Sequence, residues 1–191
     1  DLQEWMGTDK VSAITALMKL GGQEPDAQRV QDAFGRFREI LVESYRANPP
    51  VALPGVEDAI ASLRASGIKV ALTTGFDDAV AYPLLESLGW VIGAGEGTTI
   101  DAVVTTSEVA AGRPAPYMIH RAMEKAGVFD VVKVLAAGDT AVDVQAARNA
   151  GVTSVAVLTG KLTPELLVGA PVDHVLASVA EVPDLVFRGG R

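Results

Sequence analysis

Cysteine is absent from the 191 residues, which removes disulfides, thiolate nucleophiles and cysteine-ligated zinc together. Stability must come from packing, and any nucleophile must be an oxygen or a nitrogen. No run of about 18 uninterrupted apolar residues occurs, so no transmembrane segment is expected. With 49% hydrophobic and 21% charged residues, the composition is that of a soluble globular protein. An excess of basic residues is lacking too. The formal charge of −8 argues against nucleic acid as a partner, because duplex binding needs a basic stripe that neutralises phosphates, although a small anion can still bind locally. No secretory leader is visible, which favours the cytoplasm. The chain opens on Asp1 rather than methionine, and the expectation is a processed or trimmed polypeptide.

The length suits one core, or one core with a small accessory domain. Over 8–20 the residues Val11, Ile14, Leu17 and Met18 recur at helical spacing, and Gly21-Gly22 stops the run. A second periodic stretch follows Pro25 through Val30, Phe34, Phe37, Ile40 and Leu41 to about Arg46, ending at Asn48-Pro49-Pro50. Residues 1–50 are therefore a helical pair. From Val51 short β-branched runs at 69–73, 102–105, 132–136, 154–158 and 174–176 alternate with helical stretches at 56–65, 79–88, 117–125, 142–149 and 164–167. That alternation is the signature of parallel strands joined by crossover helices. The fold expected over 51–191 is an open α/β sheet, in which ligands bind beyond the carboxyl ends of the strands.

Three of those ends carry residues suited to phosphate chemistry. At Thr73-Thr74-Gly75-Phe76 a hydroxyl and freed backbone amides sit before a helix and can hold a phosphate; a plain turn is the ordinary alternative. At 111–116 (Ala-Gly-Arg-Pro-Ala-Pro) Arg113 offers a permanent cation with a planar fork for phosphate oxygens, or else decorates a proline-ordered surface loop. At 134–143 a strand runs into Gly138, and Asp139 and Asp143, four residues apart, share a face once the helix begins. Two such carboxylates can hold a hard cation such as magnesium; the alternative is that Asp139 caps the helix and Asp143 is solvated. Lys10 lies on the helical stripe of Ile14 and Leu17, in the first turn. Desolvation and the helix dipole would both lower its amine's pKa, unless its head stands in water at the end of that stripe. His120 and His174, the two histidines of the chain, read as structural.

The order Thr74, Arg113, Asp139…Asp143, each after a strand of one sheet, resembles motifs two, three and four of the haloacid dehalogenase superfamily. The resemblance covers nearly the whole chain. Segments 73–76 and 111–116 are similar to its phosphonoacetaldehyde hydrolase branch, and Met6-Gly7-Thr8-Asp9-Lys10 is similar to that branch's cap-domain motif with its Schiff-base lysine. The resemblance implies a Rossmann-like core over 51–191 with a helical cap over 1–50. It also implies a substrate site of Met6, Thr74, Gly75, Phe76 and Arg113, catalytic roles for Lys10, Thr74 and Arg113, and Mg2+ held with the help of Asp139 and Asp143.

Two departures bear on the substrate. Ala13 stands where that branch has a histidine, and Phe76 where it has a tyrosine, and both changes remove proton-handling groups. The expectation is accordingly a phosphonatase-like, magnesium-dependent hydrolase of a small phosphorylated or phosphonylated metabolite, with a homodimer left open. The resemblance further calls for an Asp-x-Asp after a strand, whose first carboxylate attacks phosphorus. No such strand precedes Trp5, so the first core strand and its nucleophile are expected to lie outside this chain. One rival is phosphonoacetaldehyde hydrolase itself, working through a Lys10 imine. Another is a noncatalytic phosphate-binding or scaffold protein.

Overall fold

The computed structural model of the chain describes residues 10–160, 162–167 and 169–188. Its N-terminal part is two packed helices, α1 (Lys10–Leu20) and α2 (Ala27–Ala47). Asp26 starts α2: its backbone is extended and its carboxylate accepts the Arg29 N–H at 2.9 Å, satisfying one of the orphan donors of the first turn. Asn48 and the two prolines behind it end the helix. Ala13 and Val30 are buried in this pair.

Beyond it the chain alternates as its pattern predicts. The order is α3 (Val56–Ala65), β1 (Ala71–Thr73), α4 (Asp78–Ser87), β2 (Ala102–Val104), α5 (Tyr117–Ala126), β3 (Leu135–Gly138), α6 (Ala141–Ala150), β4 (Thr153–Val157), β5 (His174–Leu176) and α7 (Val182–Arg188). Every strand pairing is parallel. The fold is a Rossmann-like α/β arrangement. Among the described residues no helix is long and apolar enough to cross a membrane.

The sheet comes in two pieces, β1-β2 and β3-β4-β5. A single helix serves both. On α5, Met118 and Ala122 form a buried cluster with Val104 against which Ala71 packs, while Ile119 and Met123 join Ala146, Ala147 and Ala150 of α6 against Ala136. Among the described residues β1 and β3 are each the edge strand of their own piece, and no strand joins them. Burial agrees: β2 is wholly buried and β4 nearly so, whereas β1 is half-buried throughout and Ala137 of β3 is exposed.

Some expected boundaries shift. The strand expected at 132–136 is β3 at Leu135–Gly138, because the Asp130 carboxylate accepts the Val132 N–H at 3.1 Å and winds Val131–Lys133 into a 3-10 turn. Segment Pro164–Leu167 is likewise a 3-10 turn rather than an α-helix. Helix α7, unmarked in the sequence pattern, packs with the turn at Val179–Glu181 against α3.

At the opposite end of β1 from the phosphate-type loops, Asp101 is the knot. Its side chain is only 5% exposed and meets Arg64 at 3.2 Å and Lys69 at 3.1 Å, while accepting the Val70 N–H at 2.9 Å. Desolvation pushes its pKa upward, but the Val70 amide and the two cations together outweigh that and hold it below the usual carboxylate value. A depressed folded pKa means stability that is complete above the unfolded value and is lost as pH falls through the folded one. Asp101→Asn is expected to cost roughly 3 kcal/mol at pH 7, as for a broken buried pair. The difference from wild type should shrink below about pH 4, as read by denaturant titrations across pH.

Candidate functional site

The loop after β1 is pinned by backbone bonds before any ligand is considered. The Thr74 N–H donates to the Val104 carbonyl at 3.0 Å, continuing the ladder one residue past the strand. The Thr74 hydroxyl accepts the Phe76 N–H at 3.2 Å, a local turn that tightens the chain around Gly75. Asp77 then caps α4, its carboxylate accepting the Val80 N–H at 3.2 Å. The loop after β2 is tied to the same helix, because buried Thr105 donates its hydroxyl to Asp78. Thr74 and Gly75 therefore stand at the carboxyl end of β1, before a helix N-terminus, as expected.

Across the gap, Arg113 and Asp143 form an ion pair with side chains only 16% and 10% exposed. Asp143 does not wave in solvent. Its other oxygen accepts the Thr140 N–H at 3.0 Å and the Thr140 hydroxyl, closing the capping box of α6. The cap residue of α6 is Thr140 rather than Asp139. Arg113 lies in the loop before α5, where its peptide bond to Pro114 is cis, and Asn149 of α6 holds that loop by donating to the Pro114 carbonyl at 2.8 Å. The buried Arg113 Nε–H has no acceptor among the described residues, a donor in want of an oxygen. Asp139 sits at the carboxyl end of β3, half-buried.

Two glycines make room for these carboxylates. A Cβ on Gly138 would lie 2.2 Å from the Asp143 Cβ, and one on Gly160, just past β4, would lie 1.9 Å from Asp139 Oδ2. Neither glycine has a positive φ; each is required by what packs on it.

The helical pair packs against the loop after β1. A cleft of about 400 Å3 between α1, α2 and the two loops is lined by Lys10, Phe37, Arg38, Gly75, Phe76 and Gly112 among others. Arg38 of α2 reaches Asp77 at 3.4 Å, and Tyr45 meets Phe76 edge-on at 6.5 Å between ring centres. Lys10, Gly75 and Phe76 thus share one cleft, and Arg113 and Asp143 are in contact. No hydrogen bond links Thr74 to Arg113, Asp139 or Asp143. Met6 lies outside the described residues.

A family model of haloacid dehalogenase-like hydrolases matches residues 3–151. The chain belongs to that family. It is 33% identical over 161 residues to a phosphonoacetaldehyde hydrolase of Bacillus thuringiensis, covering 80% of this chain and 58% of that protein. It thus spans little more than half the length of the curated relatives it matches. Among solved structures, a phosphonoacetaldehyde hydrolase-like protein from Oleispira antarctica superposes with a TM-score of 0.80 at 21% identity, over 97% of this chain and 77% of that one. A hydrolase from Pseudomonas syringae gives 0.78 at 21% identity, over 98% and 81%. These structures establish the shared fold.

Within this family fold, the donors suited to a hard cation are limited. Among the described residues no group of three His, Asp or Glu side chains is placed to hold a metal. Asp139 is the carboxylate that fits: it is seated against Gly160, half-buried, with no donor or cation as partner among the described residues. Asp143 is engaged on both oxygens, so in this arrangement it holds Arg113. A cation at Asp139 would draw its remaining ligands from water, the substrate or other protein oxygens, as magnesium commonly does. His120 is structural, its Nε2 lying 3.2 Å from the Ala150 carbonyl.

Arg38, Asn149 and Gly160 were not legible as site residues. Gly138 and Gly160 carry the sharpest steric requirement. Gly138→Ala should displace Asp143, loosening the α6 cap and the hold on Arg113 together. A loss of about 1–3 kcal/mol in urea unfolding is expected, typical of overpacking; an unchanged midpoint would contradict the packing described.

Proposed function

We propose that the protein is a magnesium-dependent, phosphonatase-like hydrolase of a small phosphorylated or phosphonylated metabolite, acting in the cytoplasm. Residues 1–50 serve as a cap over a core of 51–191. The observation that carries the reading is the Arg113 Nε–H, buried without an acceptor among the described residues on a guanidinium fixed by Asp143.

In this reading Gly75 and Thr74 bind phosphoryl oxygens through amide and hydroxyl. Arg113 gives its free donor to another oxygen and offsets charge as it builds in the transition state. Asp143 holds Arg113 in place, and the cap residue Lys10 faces the substrate from above. Asp139 would hold the magnesium ion, which when bound neutralises phosphoryl charge. The attacking carboxylate belongs to a strand in the gap between β1 and β3. Its oxygen bonds to phosphorus as the bond to the leaving group breaks, and water then cleaves the acyl phosphate to regenerate the carboxylate and release phosphate.

A second reading, carbon–phosphorus cleavage through a Lys10 imine, is favoured by the position of Lys10 on the cleft wall with Gly75 and Phe76 and by the name of the Bacillus relative. Against it, the residue three beyond Lys10 is Ala13, buried in the helical pair, and Phe76 has no proton to give.

In protein expressed from its complete reading frame, phosphate release should require Mg2+ and fall about a hundredfold or more in Asp139→Asn and in Arg113→Ala. Full activity in either variant would overturn the site. Borohydride with a phosphonylated aldehyde should leave Lys10 unmodified; a covalent adduct at Lys10, lost in Lys10→Arg, would establish the imine reading instead. Phosphate binding without any turnover would mark a noncatalytic binding protein.

A further inference from the structure

The cleft under the helical pair is larger and more apolar than a phosphoryl group needs. Counting generously at the roughly 30 Å3 that a water molecule occupies in the liquid, a phosphate's five heavy atoms take about 150 Å3. The cleft holds about 400 Å3. Its polar end is the Gly75 and Gly112 backbone, next to Arg113. The apolar part of the wall is Phe34 and Phe37 of α2, Phe76, Val80 of α4 and Val109, from four different parts of the chain, while Lys10, Arg38, Asp77 and Ser107 line the same cleft.

These side chains have jobs that fix them. Phe76 is held edge-on by Tyr45 at 6.5 Å. Phe34 carries the Arg38 guanidinium 5.9 Å above its ring, and Arg38 in turn reaches Asp77 at 3.4 Å, with its side chain 40% exposed. The Arg38 charge is thus partnered by the carboxylate that caps α4. A rigid aromatic wall continuous with an anion-binding end is what a ligand with an apolar body and one anionic head requires.

Resting on the phosphoryl-site reading above, we propose that the substrate's leaving group is an aromatic or bulky apolar moiety, seated against Phe34, Phe37 and Phe76, rather than a short polar one. Phe37, which has no ring partner or cation of its own among the described residues, is the specificity-determining residue.

Two phosphonates whose carbon has no neighbouring carbonyl or imine to take up the electron pair of a broken carbon–phosphorus bond, and which therefore serve as binding probes without turnover, separate this inference from the reading it rests on. Calorimetric titration of the protein expressed from its complete reading frame, with Mg2+ present, compares methylphosphonate with phenylphosphonate. Phenylphosphonate should bind at least about tenfold more tightly, as for an aromatic group leaving water. That ratio should fall below about threefold in Phe37→Ala, with Phe37→Leu intermediate, and methylphosphonate binding in each variant reports that the site is folded. Equal affinity of the two probes in the wild type overturns the aromatic leaving group and leaves the phosphoryl site standing. An undiminished ratio in Phe37→Ala overturns the seat. Failure of both probes to bind overturns the inference together with the phosphoryl-site reading.

Discussion

The Asp143 carboxylate is bonded on both oxygens at once, to Arg113 through one and to the Thr140 backbone and hydroxyl through the other. One side chain thereby closes the N-terminus of α6 and fixes the guanidinium that faces the candidate phosphoryl site. The arrangement tolerates nothing larger than glycine at 138, because the Asp143 side chain lies directly on that residue. The pair is largely withdrawn from solvent, where an ion pair is strong but leaving either partner alone is expensive. Asn149 adds a second tie from the same helix to the Arg113 loop. Strand β3, helix α6 and the loop before α5 are in this way one mechanical unit.

The other half of the site depends on a different set of ties. Thr105 and Asp78 link the loops after β1 and β2, and Arg38 and Tyr45 bring α2 down onto Asp77 and Phe76. The two halves meet through the apolar face of α5, which packs on both sheets. β1 and Ala137 of β3, each at the edge of its own piece, lack the burial that central parallel strands ordinarily have. A strand pairing with both would join the two pieces into one sheet.

Much of this was legible in the sequence, for a physical reason: alternation of β-branched runs with 3.6-period stretches reports parallel strands and crossover helices, and polar residues at strand ends report the ligand side. Thr74, Arg113, Asp139 and Asp143 were singled out as candidates that way. What periodicity does not carry is tertiary pairing. Asp139 and Asp143 read as equivalent carboxylates, yet among the described residues one has no partner and the other is committed to Arg113. Nor does periodicity carry the requirement for glycine at 138 and 160, where the backbone has no positive φ and the constraint is steric. Val132 and Lys133 read as strand until the Asp130 side chain bent them into a 3-10 turn, and α7 is too short to establish a period.

The central claim is that Thr74 and Gly75 on one side of the gap and Arg113 and Asp139 on the other serve a single oxyanion. A crystal structure of the protein expressed from its complete reading frame, grown with Mg2+ and tungstate as a phosphate mimic, tests it most directly. The account predicts tungstate within hydrogen-bonding distance of both the Gly75 N–H and the Arg113 Nε, with the cation on Asp139. Tungstate bound elsewhere, with the Arg113 Nε still lacking an acceptor, would contradict it.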